Sequence, residues 1–579
     1  MSARLQGEKY LWQVPEMQHA SVLELASAYN LSVPIAQTLI TRGFTDRAHL
    51  DAYLFSSFER DVGHAAQMKD ADKAVERILL AIERGENILI AGDYDVDGVT
   101  SSSLMLVCLL PLGANINFFL PNRARDGYGL SVKTVERAAR NGYTLIVTVD
   151  NGITAFEPAL KARELGVDLI ITDHHRQHHA LPEAYAVVNP NRLDCEYPFK
   201  YLAGVGVIFK VMWLLYERKG LEMPAKAYEL LLLGTVADVV PLVGENRFWV
   251  RHGLQYINRF ESPSFQVLKQ NGKVTKAKLS STDIGFSIAP QINALGRLED
   301  ARQGVKFLIG SDLDEIKEVG NVLLALNDAR REIERAIFAE IKAEIDAGNI
   351  DLNTERVIFA AGKGWPAGVI GLVASRLLSS YGRPAILFHL TNDGLAKGSC
   401  RSIPEFNMFN ALQASHDLLK QFGGHSLAAG LSLPAENLPA LKQRLEQMIA
   451  EQVSDDDLRL KLALDAHATL PELTKKFMQD LEYLEPFGNE NRQPVFFVKD
   501  LVLVQKPQLL KDVHVKCQVF ADGVIKPIMF FNRPELFEKF MNQGEQPFDV
   551  ATYVVENHWN GRVNVELNGI DVARLAGSS

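Results

Sequence analysis

Apolar and polar positions along this chain follow two rhythms. Over residues 1 to 60, segments such as SVLELASAY and VPIAQTLITRGF carry apolar residues three and four apart, which predicts short helices. AVERILLAIERGENILIAGDYD then reads as an amphipathic helix, a glycine-containing turn and a short apolar strand. The alternation repeats: INFFLP strand-like, SVKTVERAARNG helical, TLIVTVD strand-like, PALKARELG helical, DLIITD strand-like. Strands alternating with helices of this length predict βαβ units in a parallel sheet. In such sheets ligands bind beyond the carboxyl ends of the strands, so those ends are where chemistry is expected.

From Ser311 to about Ile345 a charged helical pattern runs unbroken, predicting a long helix that spaces two lobes. Ser311 and Asp314 form its expected capping pair, and Gly348-Asn349 its end. A second α/β segment follows in RVIFAAG, GVIGLVASRLLSSYG and RPAILFHL, closing near residue 450; the acidic SDDD at 454–457 reads as a linker. Past Pro494 the pattern turns to alternating strands such as HVKCQVFA, with a hairpin expected at Asn560-Gly561. A small antiparallel barrel or sandwich fits this tail. The expected division is a helical segment over 1–60, an α/β domain over 61–300, the long helix within 301–348, a second α/β domain over 349–450 and a β-rich domain over 451–579.

Composition narrows the class. The chain has 579 residues, for which three to four domains is the usual number. With 47% hydrophobic and 23% charged residues it is neither disordered nor collagen-like, and its 4 cysteines, with no CxxC, fit reduced thiols rather than a disulfide scaffold. No stretch approaches the roughly 18 uncharged apolar residues of a membrane span. MSARLQGEKYLWQ lacks the apolar core of a secretory signal, so a cytoplasmic location is expected. The net charge of −10 argues against a wholly basic nucleic-acid binder. It leaves room for an acidic metal centre beside a locally basic groove.

The sharpest feature is GDYDVDG at 92–98, directly after the strand ENILIA. Carboxylates at Asp93, Asp95 and Asp97 raise each other's pKa, a conflict that a cation resolves. TLIVTVD then ends at Asp150, DLIITD ends at Asp173 with His174 and His175 after it, and LLLGTVADVVP adds Asp238. A single strand-end Asp is most often a cap or turn residue. Three successive strands delivering acid or imidazole at equivalent ends are not explained that way. Carboxylates with imidazole and no thiolate suit Mn²⁺ or Mg²⁺. Five or six such ligands exceed the needs of one ion, and two ions sharing a carboxylate point to phosphoester or phosphoanhydride hydrolysis.

Together with PNRARDGYGL, VTVDNGI, TDHH, NPN, LAGVGV, GTVADVVPL, NALGRL, GVIGLVASR, GSCRS and GGHSLAAG, these motifs resemble the DHH/DHHA1 phosphoesterase superfamily over nearly the whole chain, and within it the RecJ exonuclease family. The resemblance implies an α/β fold: a two-lobe DHH phosphoesterase core, in which a parallel-sheet DHH domain and a DHHA1 domain are joined by a long helix, with a C-terminal β-rich OB-fold. It implies two divalent ions, Mn²⁺ or Mg²⁺, held by Asp95, Asp97, Asp150, His174 and Asp238, with Asp150 as the bridge. Asp93 is implied as ligand or partner within the first motif, and His175 as the contact to the scissile phosphate.

Glycines that allow close backbone approach, and arginines with a planar donor fork, mark the second lobe as phosphate-binding. The resemblance assigns that work to Arg376, Ser399, Arg401, Gly424 and His425, and adds Asn293 and Arg297; Arg123 is a candidate DNA contact by its charge. It departs from the family pattern at Gln291, where arginine is common, and at Pro366, where histidine is; each departure is expected to bear on a DNA contact. Lys269, Lys273, Lys276 and Lys278, with Arg125, are candidates for the path of a strand, and Phe520, Phe530, Phe531 and Trp559 for base stacking in the tail. The activity implied is single-stranded-DNA-specific exonuclease action from the 5′ end, releasing 5′-mononucleotides in DNA recombination and repair. Implied partners are single-stranded DNA, single-strand-binding protein and a RecQ-type helicase, with no membrane. Two alternatives stand beside it: a phosphodiesterase for short oligonucleotides or cyclic dinucleotides, and an inactive DNA or replication scaffold.

Overall fold

The computed structural model describes residues 3–122, 127–177, 180–559 and 562–575; the side chains at 558, 559 and 562 are not described. The chain forms two compact units. One holds residues 48–330 and 485–492, the other 1–47, 331–484 and 493–579.

The first unit is built on a parallel sheet in the order Asn115–Phe119, Asn87–Ala91, Tyr143–Val149, Asp168–Thr172, Ala186–Val188. Its three central strands carry apolar runs because both of their faces are covered, whereas the edge strand Asn115–Phe119 stays partly exposed. Ile88, Ile90, Leu145, Val147 and Ile170 pack into one cluster, and the alternating Leu89, Ala91, Ile146, Leu169 and Ile171 into the other. The three central strands are those whose ends carry Asp93, Asp150 and Asp173, so their acids share one sheet edge. The rest of this unit is helical, and helices Val96–Leu109, Gly204–Arg218 and Ala225–Ala237 pack against one another behind that edge.

In the second unit a mixed sheet runs Gln421–Gly424, Ala428–Pro434, Leu395–Arg401, Ala385–Leu390, Ile358–Lys363. The tail is a barrel rather than a sandwich. Phe496–Leu503, Phe548–Trp559, Arg562–Ala573, Val524–Phe530 and His514–Ala521 pair in succession, and Val502↔Phe520 closes the ring. One pair, Val524–Phe530 with Arg562–Ala573, is parallel. The expected turn at Asn560-Gly561 lies outside the described residues, between strands in register at Trp559↔Arg562.

Two expectations are corrected. The first sixty residues are not all helical: Ala3–Gln6 and Leu11–Val14 are strands, and the second pairs in parallel with Lys461–Ala463. Each strand has 4 residues, too few to show a period, and their partner is remote in sequence. Fully buried Trp12 anchors them, donating to Asp571 at 2.9 Å and meeting Phe497 edge-on. The long helix spans Leu313–Asp346, and its cap is Asp312 rather than Ser311. The Asp312 carboxylate accepts the amides of Asp314 and Glu315 at 2.9 and 3.0 Å, satisfying donors that a helix start leaves open.

Candidate metal centre

Three strand ends and one helix end build the site. After strand Asn87–Ala91, Asp95 caps helix Val96–Leu109 by accepting the Gly98 amide at 3.1 Å, so it is a cap and a candidate ligand at once. Gly98 is required here, because a Cβ would lie 2.5 Å from the Asp93 carbonyl oxygen. Asp97, in the first helical turn, is buried, and its two oxygens accept the amides of Gly204 at 2.6 Å and Val205 at 2.8 Å. The N-terminus of helix Gly204–Arg218 thus grips this carboxylate as helix N-termini grip anions.

Asp150 follows strand Tyr143–Val149 with φ 61°, the left-handed region that Asp tolerates better than most residues. Tyr128 donates to its carbonyl oxygen at 3.2 Å. After strand Asp168–Thr172, the Asp173 carboxylate is fully engaged by protein. It accepts the amides of His174 and His175, the Ile153 amide at 2.8 Å, and His175 Nδ1 at 2.7 Å. Asp173 therefore orients His175, leaving Nε2 as that ring's other polar atom. Asn191 and Asn189 of the NPN motif donate to the carbonyl oxygens of His174 and His175 at 2.6 and 2.9 Å.

Asp238 comes from the C-terminal end of helix Ala225–Ala237. Gly234 lets that helix approach closely, since a Cβ there would meet Thr100 Oγ1 at 2.4 Å. The next residue, Val239, has φ 59°, a conformation that costs an L-residue about 1–2 kcal/mol.

These elements converge on His174. Its Nε2 lies 3.2 Å from Asp150 Oδ1, 3.6 Å from Asp238 Oδ2 and 3.9 Å from Asp97 Oδ2. Three overlapping sets have ligand atoms mutually within 4.8 Å: Asp93, Asp95 and Asp150; Asp97, His174 and Asp238; and Asp150, His174 and His175. Burial, reinforced by Asp95, pushes the Asp97 carboxyl up to about 7. Asp150 and Asp238 are held well above the carboxylate range by burial and then by Asp97 and their other acidic neighbours. Burial, and then His175, lowers His174 to about 4, so its imidazole is neutral near pH 7. Buried Asp150 Oδ1 and His174 Nε2 have no hydrogen-bond partner among the described residues. Orphaned ligand atoms, a neutral imidazole and crowded acids fit divalent cations with oxygen-rich coordination.

The phosphate candidates divide between the units. Asn293 and Arg297 lie one helical turn apart on Ala289–Leu298, in the unit of the metal candidates. Gly296 brings this helix against the acidic loop, a Cβ there falling 2.2 Å from the Tyr94 carbonyl oxygen. Arg376, Ser399, Arg401, Gly424 and His425 belong to the other unit. Ser399 and Arg401 share one face of strand Leu395–Arg401, with Arg401 Nη1 3.4 Å from Ser399 Oγ. Arg376 stacks over Phe338 at 4.0 Å, Gly424 has φ 133°, and His425 is exposed on the turn closed by its amide and Ala428. Arg123 and Arg125 lie outside the described residues.

Gln291 is corrected: it is buried and donates to the Leu268 and Ser287 carbonyls at 2.8 Å, so it serves packing instead of presenting a group to a strand. Pro366 caps helix Ala367–Tyr381. Lys269 pairs with Glu261 and Lys276 with Asp283, so the charge of these two lysines is already met within the protein. Phe520 and Phe531 are exposed on the barrel and Phe530 is core; the Trp559 side chain is not described. Sequence reading missed the work of Asn189, Asn191, Gly204 and Val205. Their motifs were visible, but what each amide holds depends on chain brought in from a distance.

Fold and centre together are those of a DHH phosphoesterase. Family models agree: the DHH family N-terminal domain matches residues 87–235, the DHHA1 domain 354–451 and the RecJ OB domain 464–571. The chain is 34% identical over 572 residues to the single-stranded-DNA-specific exonuclease RecJ of Bacillus subtilis, covering 98% of this chain and 71% of that one. It superposes on the crystal structure of RecJ in complex with Mn²⁺ from Thermus thermophilus with a TM-score of 0.81 at 28% identity, covering 97% of this chain and 79% of that one. For the Mg²⁺ complex from the same organism the TM-score is 0.75 at 27% identity, covering 97% and 78%. The chain belongs to the RecJ family.

Proposed function

We propose that this protein is a Mn²⁺- or Mg²⁺-dependent exonuclease that degrades single-stranded DNA from its 5′ end to 5′-mononucleotides. The observation that carries the reading is the convergence of Asp97, Asp150 and Asp238 on a neutral His174 whose Nε2 lacks a hydrogen-bond partner among the described residues, with Asp93 and Asp95 grouped on Asp150 beside it. A silent scaffold has no need to keep so costly a cluster of acids. Asp95, Asp97, Asp150, His174 and Asp238 would hold two ions, with Asp150 shared and Asp93 beside it. Such a pair, when bound, supplies an activated water and neutralises charge on the phosphoryl group. His175, oriented by Asp173, would contact the scissile phosphate. Asn293 and Arg297, and Arg376, Ser399, Arg401, Gly424 and His425, steady the phosphates, with Arg123 in the same role. This reading takes the expected division as a catalytic domain over 61–300, a substrate-binding domain over 349–450, and a strand-binding barrel within 451–579.

Among the described residues no helix is long and apolar enough to cross a membrane. A cytoplasmic setting, with single-strand-binding protein and a RecQ-type helicase as partners, completes the proposal. The test is hydrolysis of labelled single strands blocked at either end, with and without Mn²⁺, by the intact protein and Asp150→Ala. Degradation that a 5′ block stops, a 3′ block spares and the substitution abolishes is expected. Cleavage by the variant above a few per cent of the intact rate would refute the metal assignment.

A further inference from the structure

The turn after Asp238 adopts a backbone that its sequence does not favour. Val239 follows the end of helix Ala225–Ala237 in the left-handed conformation, at the position where helices ending this way commonly carry glycine. The residue is 63% exposed, so packing of the valine does not hold it there.

The hold comes from a distant piece of chain. Asn489 Nδ2 donates to the Val239 carbonyl oxygen at 2.8 Å, and the Asn489 carbonyl oxygen accepts the Leu242 amide at 2.9 Å. One residue thus grips the turn with a donor at its start and an acceptor at its end. Asn489 lies in the short segment 485–492, which packs with residues 48–330 although the chain on both sides of it belongs to the other unit. The segment is itself braced. Ser281 Oγ donates to the Phe487 carbonyl at 2.6 Å, Tyr53 to Asn491 Oδ1 at 2.8 Å, and Asn491 Nδ2 to the Pro486 carbonyl at 2.7 Å. Gly488 passes so close that a Cβ would lie 2.6 Å from Leu242 Cδ1.

We propose that Asn489 is a positioning residue for the metal centre: by holding Val239 in the left-handed turn it fixes the end of the helix and with it the direction of the Asp238 carboxylate. The inference rests on Asp238 being a metal ligand. Released from Asn489, Val239 relaxes toward negative φ, the last helical turn shifts, and Asp238 leaves its place 3.6 Å from His174 Nε2.

The test is calorimetric Mn²⁺ titration of the full chain without substrate, with melting temperature in chelator as the measure of fold. Asn489→Ala is expected to weaken Mn²⁺ binding about tenfold or more, the range found for residues that orient metal ligands, with little change in melting. Val239→Gly alone should bind like the intact protein. Added to Asn489→Ala it should restore binding to within about threefold, because glycine takes positive φ unaided. Asp238→Ala separates the two layers of the argument. If that variant binds Mn²⁺ normally, the ligand reading has failed. If it binds poorly while Asn489→Ala binds normally, or if glycine gives no rescue, the positioning inference alone is overturned. Should Asn489→Ala not fold, the double variant decides: binding like the intact protein supports the inference, and binding as poor as that of Asp238→Ala sinks it.

Discussion

The backbone amide of Gly204 donates to Asp97 Oδ2 at 2.6 Å, and the side chain Gly204 lacks leaves the space that Asp150 fills. A Cβ there would lie 2.5 Å from Asp150 Cβ and 2.9 Å from its Cα, so no rotamer of Asp150 relieves the clash. Two acids, one in a helix and one at a strand end, depend on one glycine from a third element.

Gly204→Ala is therefore expected to lower hydrolysis at least about a hundredfold and to weaken Mn²⁺ binding, while the fold survives a cost of about 1–3 kcal/mol for overpacking. Mn²⁺ titration beside a thermal melt checks this. Full metal affinity in the variant would show that the backbone yields and that the close contact does not set the site.

His425→Ala should separate grip from chemistry. His425 is exposed on the turn after strand Gln421–Gly424. Its removal is expected to raise KM for single strands about tenfold and leave the Mn²⁺ dissociation constant unchanged. A loss of metal binding would give His425 a role in the metal centre itself.

Acid stability should depend on the cluster around Arg77, whose guanidinium donates to Glu86 Oε2 and Asp168 Oδ2, each at 2.6 Å. Burial alone would raise the Glu86 carboxyl, but the hydrogen bonds from Arg77 and Thr144 outweigh it and hold the group below its usual range. A depressed carboxyl stabilises the folded chain above the unfolded value, near pH 4.3, and that contribution disappears as pH falls through the folded value. Glu86→Gln should lower stability at neutral pH by about 1–3 kcal/mol and flatten the fall in melting temperature below pH 4.5. Parallel melting curves for the two proteins across pH 3–7 would contradict the assignment.

On the barrel, Phe520 and Phe531 are 39% and 52% exposed, whereas Phe530 is fully buried. Phe520→Ala or Phe531→Ala should weaken binding of long single strands by about 1–3 kcal/mol, the worth of one stacked base, and leave short oligonucleotides unaffected. Phe530→Ala should instead cost about 3–5 kcal/mol of stability. Fluorescence anisotropy with long and short strands at several salt concentrations reads the difference. Equal losses on both lengths would mean that the two exposed rings are not a stacking platform.

What the chain disclosed in advance was local. Strand Asn87–Ala91 followed by GDYDVDG carries its apolar run, turn and acids within a dozen residues, and Asp150 and His174 follow the same rule. What stayed hidden was held across distance. Asp97 is gripped 107 residues away by Gly204, and strand Leu11–Val14 finds its partner only at Lys461–Ala463. Ser311 was a plausible cap by residue type, but Asp312 stands one position nearer the first open amides and takes them. Gln291 read as a departure from the family pattern bearing on a DNA contact, but it is buried and donates to two carbonyls.

Trp12 finally sets a timetable. Its indole is sealed by Phe497 and Asp571, so this residue, the second aromatic after Tyr10, has no full shelter until the next 559 residues have been made. At ribosomal speeds of about 5–20 residues per second, it waits roughly half a minute to two minutes. Until Lys461–Ala463 has been made, strand Leu11–Val14 pairs only with Ala3–Gln6, and its other edge is open to chaperones and to neighbouring chains alike. Slowing synthesis anywhere between Trp12 and Asp571 therefore lengthens the exposure of the indole.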